Sequence, residues 1–115
     1  MFEFQNLTVY QKAKIFHLTN KQIVSKIKVE KYVNDQLGRA SYSIVLNIAE
    51  GSAKTSKADR RNYFTTARGS TFECVAVIDL LKDEKLIDES TYQMQISLAS
   101  ELSKLLYTMI KNLTS

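Results

Sequence analysis

The chain has 115 residues, 44% of them hydrophobic, with no proline, three glycines and a net charge of +4. That length fits one domain, expected over residues 1–115, and leaves no room for two joined by a linker. The apolar content excludes intrinsic disorder, and the scarcity of turn residues excludes a sandwich or barrel of many short strands.

Helical periodicity runs along the whole chain. Val9, Ala13, Phe16, Ile23 and Ile27 recur at helical steps and predict a first helix from about Leu7 to Lys28. This segment carries five lysines (Lys12, Lys14, Lys21, Lys26 and Lys28) against one carboxylate, Glu3. It therefore holds the whole charge surplus, and the remainder of the chain sums to zero. A second helix is expected to start near Asn34, a good N-cap. Leu37, Ala40, Ile44 and Ile48 form its stripe, and Gly51 is expected to stop it. Ser56 with Asp59 resembles a capping box and opens a third helix that runs to about Lys82. Its stripe is Phe64, Ala67, Cys74, Ile78 and Leu81. Asp88 predicts the N-cap of a fourth helix, flanked by Ile87 and Tyr92 as a hydrophobic staple and fraying near Ser115. Helices with short connections pack as antiparallel neighbours, so the expected fold is all-α, an up-down-up-down four-helix bundle. Ile15, Leu18, Val24, Val45, Leu46, Val75, Val77, Leu80, Leu98, Leu105 and Met109 lie off the narrow stripes. Some widen the core. Any left exposed call for a second buried surface, which points to oligomerisation.

Few residues suggest chemistry. The one histidine, His17, has no partner at ligand spacing, and a structural or exposed role is expected. Cys74 stands on the core stripe of helix three and is expected to be a buried small hydrophobe. No nucleophile–base pair, phosphate loop or metal motif is present, so no catalytic residue, metal or cofactor is expected. No signal peptide or membrane span is expected either, and the expected location is cytoplasmic. Two groups of residues stand out. Arg39, Asn47 and Glu50 share one side of helix two, and Ser70 and Glu73 sit similarly on helix three beside Arg68. The plain interpretation is a hydrogen-bonded network fixing helix register, and the functional one is a ligand or subunit contact. Lys54, Lys57, Arg60, Arg61 and Arg68 form a basic cluster around the start of helix three. It suits a phosphate backbone, with Tyr63 placed to stack on a base, or else is a solvated charged face.

The run Gln36-Leu37-Gly38-Arg39-Ala40-Ser41-Tyr42-Ser43-Ile44-Val45-Leu46 leads into an intact Asn47-Ile48-Ala49-Glu50-Gly51 core. A second run, Tyr63-Phe64-Thr65-Thr66-Ala67-Arg68-Gly69-Ser70-Thr71-Phe72-Glu73, follows in order, and Leu7-Thr8-Val9-Tyr10-Gln11-Lys12-Ala13 precedes both. Together they resemble the four-helix-bundle proteins encoded in intervening sequences of bacterial 23S rRNA genes, once labelled S23 ribosomal proteins. Gly38 stands where that family commonly has a second basic residue, and Val45 where it often has proline. A mid-helix glycine costs about 1 kcal/mol relative to alanine, which suggests close packing at Gly38. The resemblance implies a homopentameric ring. It extends to the accessory protein of diversity-generating retroelements, a basic pentamer that binds nucleic acid and a reverse transcriptase. It supplies no catalytic residue. The expected function is non-enzymatic binding of structured RNA or other nucleic acid through basic faces. The alternative is a scaffold for a protein partner.

Overall fold

The computed structural model describes residues 2–113. A 3-10 turn, Glu3–Asn6, leads into four helices: α1 (Thr8–Ser25), α2 (Lys31–Ala53), α3 (Lys57–Asp83) and α4 (Glu89–Asn112). Among the described residues there is no strand. The helices pack in the cyclic order α1, α2, α3, α4, with α4 closing against α1. Connections at 26–30, 54–56 and 84–88 are too short to cross the bundle, so successive helices run antiparallel. The molecule measures 44 × 25 × 22 Å, the shape of an elongated bundle.

The caps explain where α3 and α4 begin. The Ser56 hydroxyl accepts the Asp59 amide at 3.1 Å, and the Asp88 carboxylate accepts the Thr91 amide at 2.8 Å. That amide holds the Asp88 carboxyl below its ordinary pKa. The helix α3 ends in a left-handed residue, Lys85, at φ 60°. The Leu86 amide bonds the Leu81 carbonyl and the Lys85 amide bonds the Lys82 carbonyl, closing a Schellman turn without glycine.

Three boundaries differ from expectation. The helix α1 stops at Ser25, but Ile27 and Val29 in the following connection still pack on the core. The helix α2 starts at Lys31 rather than Asn34. Its apolar stripe reaches back one step to Val33, and Lys31 pairs with Asp35 at 3.0 Å across the first turn. Gly51 does not stop α2. It is buried inside the helix, which runs on to Ala53, and no glycine takes a positive φ. A Cβ at Gly51 would stand 2.7 Å from Phe64 Cε1 and 2.9 Å from Tyr63 Cβ. Gly51 thus lets α3 approach α2 rather than turning the chain. Gly38 shows the reverse: a Cβ there meets nothing within 4 Å, so no contact within this chain requires glycine.

One core runs the length of the bundle, with Phe16, Leu37, Ile44, Ile48, Phe64, Ile78, Leu81, Leu102 and Leu106 almost fully buried. Of the off-stripe residues, Val77 is buried, and Val24, Val45, Val75, Leu98, Leu105 and Met109 pack partly against the core. Ile15, Leu18, Leu46 and Leu80 remain exposed. The core also holds four polar residues that periodicity did not single out: Asn20, Ser41, Thr71 and Gln95. The Gln95 amide spans α1 and α4, donating to Asn20 Oδ1 at 2.8 Å and to Thr19 Oγ1 at 3.0 Å.

Candidate nucleic-acid interface

The five basic residues singled out in the sequence take different positions. The Lys54 ammonium lies 5.2 Å from the Tyr63 ring centroid. Lys57 is exposed at the first residue of α3. Arg60 turns inward, 6.0 Å from the Phe64 ring, with its Nε buried and without a hydrogen-bond partner among the described residues. Arg61 and Arg68, seven residues apart, face α4. Arg61 donates from Nη1 to the Leu113 carbonyl at 3.2 Å, where a cation suits the carbonyl end of α4. Arg68 donates from Nε to the Ser103 carbonyl at 3.3 Å. Its guanidinium carbon lies 4.9 Å from the Phe72 centroid and 5.4 Å from the Tyr107 centroid. None of the five pairs with a carboxylate among the described residues.

The polar residues of α2 and α3 are only partly joined. Asn47 donates to the Ser43 carbonyl at 2.9 Å and to Ser43 Oγ at 3.0 Å, and the Ser70 hydroxyl donates to Ser43 Oγ at 3.0 Å. Ser43 is therefore the bridge between the helices, and the sequence did not mark it. Glu73 accepts from the Gln36 side chain. Arg39 lines the same shallow hollow as Ser43, Ser70 and Glu73. Arg39 and Glu50 are exposed and make no hydrogen bond or ion pair among the described residues. The physical reason is register: Ser43 lies between α2 and α3, whereas Arg39 and Glu50 look outward.

His17 and Ser41 make the one histidine–hydroxyl pair, with Nδ1 and Oγ 2.6 Å apart. Ser41 is fully buried, so its hydroxyl offers no approach to a substrate. The His17 ring meets Tyr42 edge to face at 5.4 Å. Burial, with a smaller contribution from Lys21, lowers the His17 pKa below 6.5. As pH falls, the unfolded chain takes up this proton first, so stability rises with pH below the ordinary histidine value and is lost as pH falls toward the folded one. Denaturant melts at pH 7 and pH 5 check this: His17→Gln is expected to lose less stability between the two than the parent chain. Burial, helped by Glu73, pushes the Cys74 thiol up to about 12, so it stays protonated. No group of three or more His, Cys, Asp or Glu residues able to hold a metal exists among the described residues.

The two ends of the α3–α4 pair differ in charge. Toward the α3 C-terminus, Lys82 pairs with Glu89 at 3.0 Å and lies 4.1 Å from the Tyr92 ring, while the Tyr92 hydroxyl donates to Asp79 at 2.6 Å. Toward the α3 N-terminus, Arg61 and Arg68 are joined by Lys104 and Lys111 on α4, both exposed. Lys104, Phe72 and Tyr107 were missed in the sequence. Their signal was present: Lys104, Tyr107 and Lys111 recur at helical spacing on the polar side of α4.

The model of the 23S rRNA-intervening sequence protein family matches residues 5–108. Among solved structures, the fold is similar to a protein of unknown function from the S23 ribosomal protein family of Bacteroides thetaiotaomicron. The TM-score is 0.84 at 25% sequence identity, over 90% of this chain and 99% of that one. Among curated proteins, none matches the chain. With the two sequence runs, the four-helix order and a family match over nearly its whole length, this chain belongs to the 23S rRNA-intervening sequence protein family.

Proposed function

We propose that the chain is a non-catalytic, oligomeric protein that binds structured RNA or another nucleic acid through basic faces of the bundle. One observation carries this. Residues 54–68 hold five cations against one carboxylate, Asp59, and none of the five pairs with a carboxylate among the described residues. An excess of cations of this kind attracts a phosphate backbone and gains free energy by releasing its counterions. Binding rather than catalysis is supported by the burial of the Ser41 hydroxyl and by a Cys74 thiol that stays protonated. No described helix is long and apolar enough to cross a membrane. A cytoplasmic location goes with the proposed role.

Assembly, proposed as a homopentamer, is supported by a separate feature. Tyr42 and Leu46, one turn apart on α2, are 56% and 45% exposed, well above what a helix facing its own core leaves in water. Gly38, one turn before Tyr42, lies in a helix interior with open space beside it. It weakens its helix by about 1 kcal/mol with no return inside this chain. A second protomer approaching closely would supply the return. A ring would repeat a weak basic face and raise affinity by avidity.

Fluorescence anisotropy of the nuclease-treated protein with a labelled RNA hairpin and a labelled DNA duplex tests the proposal. Submicromolar binding is expected, with log K falling against log salt by about 0.9 for each duplex phosphate neutralised. Lys54→Glu with Lys57→Glu is expected to weaken binding and flatten that slope. Arg61 is unsuitable for the test because it also holds the end of α4. Absence of binding at low salt overturns the nucleic-acid role and favours a scaffold for a protein partner.

A further inference from the structure

The α3–α4 groove combines three features that the charge count alone does not explain. Its cations are segregated. Between residues 60 and 78 the only α3 carboxylate is Glu73, which is bonded to Gln36 of α2. Between residues 90 and 112 the only α4 carboxylate is Glu101, which pairs with Lys12 of α1 at 2.9 Å. Both acids are drawn to the far sides of their helices. Among the described residues, Arg61, Arg68, Lys104 and Lys111 are left on a face with no carboxylate.

The second feature is the hold on Arg68. Its Nε is fixed by the Ser103 carbonyl, and its guanidinium lies against both the Phe72 and Tyr107 rings. The two terminal nitrogens make no hydrogen bond among the described residues, and no ion pair competes for them. A guanidinium held this way has already lost its side-chain entropy and presents a planar fork, the geometry that takes two phosphate oxygens at once. The third feature is the rings. Phe72 is 56% exposed and Tyr107 is 54% exposed, so both keep surface in water. Phe72, Arg68 and Lys104 line a groove of about 400 Å³ whose floor is Thr71, Val75, Ile96 and Ala99, and Tyr107 stands against Arg68 beside it.

We infer that this groove, together with Arg68 held against the Phe72 and Tyr107 rings, is a site for an unpaired nucleic-acid segment, with a phosphate on the Arg68 fork and a base on an aromatic ring. The inference rests on the nucleic-acid function proposed above and narrows its ligand. A cation face alone takes any duplex. Exposed rings beside a fixed guanidinium add something only for bases whose faces are free, and in a duplex those faces are already stacked. Arg61, Lys104 and Lys111 then follow the backbone on either side. Seven residues separate Arg61 from Arg68 and Lys104 from Lys111, which is about 10 Å along a helix. An acidic protein segment would satisfy the charges but would leave the rings unused.

The test uses the full chain with a labelled single-stranded twelve-nucleotide uridine RNA, an RNA duplex of equal length and a poly-glutamate peptide. The single strand is expected to bind more tightly than the duplex. Phe72→Leu and Tyr107→Leu keep an apolar side chain at exposed positions and are each expected to weaken single-strand binding about tenfold without changing the salt slope. Arg68→Lys keeps the charge but not the fork, and is expected to weaken it as well. Tyr32→Leu removes an exposed aromatic at the opposite end of the bundle and is expected to change nothing. Circular dichroism confirms that each variant keeps the helical fold. Single-strand binding unaffected by both ring substitutions overturns the inference while leaving nucleic-acid binding in place, and so does a preference for the duplex. Binding of poly-glutamate with neither RNA bound overturns both proposals.

Discussion

Gly51→Ala is expected to lower the stability of the folded chain by about 2 kcal/mol, although alanine is the better helix former. Propensity alone favours the substitution by about 1 kcal/mol. The new Cβ would stand 2.7 Å from Phe64 Cε1, 2.9 Å from Tyr63 Cβ and 3.0 Å from Phe64 Cδ1. None of these atoms can give way easily. Phe64 is 1% exposed and locked among core side chains, and Tyr63 Cβ is tied directly to the α3 backbone. The helices must therefore separate, and overpacking of this kind costs about 1–3 kcal/mol beyond the propensity gain. Urea melts check it: the midpoint should fall at unchanged slope. Gly38→Ala and Gly69→Ala are the internal controls. Their Cβ atoms meet nothing within 4 Å in the protomer, so each is expected to stabilise the dissociated chain by about 1 kcal/mol.

Gln95→Ala is expected to cost about 3 kcal/mol. The side chain is fully buried and ties α4 to α1 through Asn20 and Thr19. Truncation leaves a cavity and strips Asn20 Oδ1 of its donor in a place that water does not reach. Asn20 Nδ2 and Gln95 Oε1 already lack hydrogen-bond partners among the described residues, so the pair is under-satisfied from the start. Replacing both residues by leucine removes every one of these polar groups while keeping volume. That double variant is expected to be near neutral or more stable than the parent chain, because paired buried polar groups contribute little net free energy. Thermal melts of the single and double variants give the comparison directly, and a double variant as unstable as Gln95→Ala would show that the cost is shape rather than polarity.

Much of the architecture follows from local pattern. The apolar stripes of the first three helices place Phe16, Ile44, Phe64 and Ile78 in the core because helical period and burial are the same constraint seen twice. Ser56 and Asp88 mark the starts of α3 and α4 because a capping side chain bonds an amide three residues away, an interaction contained in the local sequence. The family runs around Asn47 and Ser70 were likewise legible. The role of Gly51 was not. A glycine after an apolar stripe looks the same whether it ends a helix or admits a ring from the next one, and only the position of Phe64 decides. The start of α2 was misplaced because packing of Val33 outweighs the capping preference of Asn34.

The candidate site divides in the same way. The sequence determined the cations, their number and the absence of a local partner for most of them. Tertiary structure decided where they point. Arg60 turns onto Phe64, Arg61 closes α4, and Arg68 is clamped by two rings, one from its own helix and one from a residue 39 positions away. The removal of Glu73 toward α2 and of Glu101 toward α1 leaves the part of the α3–α4 face around Arg68 without a carboxylate among the described residues. Segregation of charge between two helices depends on which sides of both meet their neighbours, and that is fixed only when the four helices pack together.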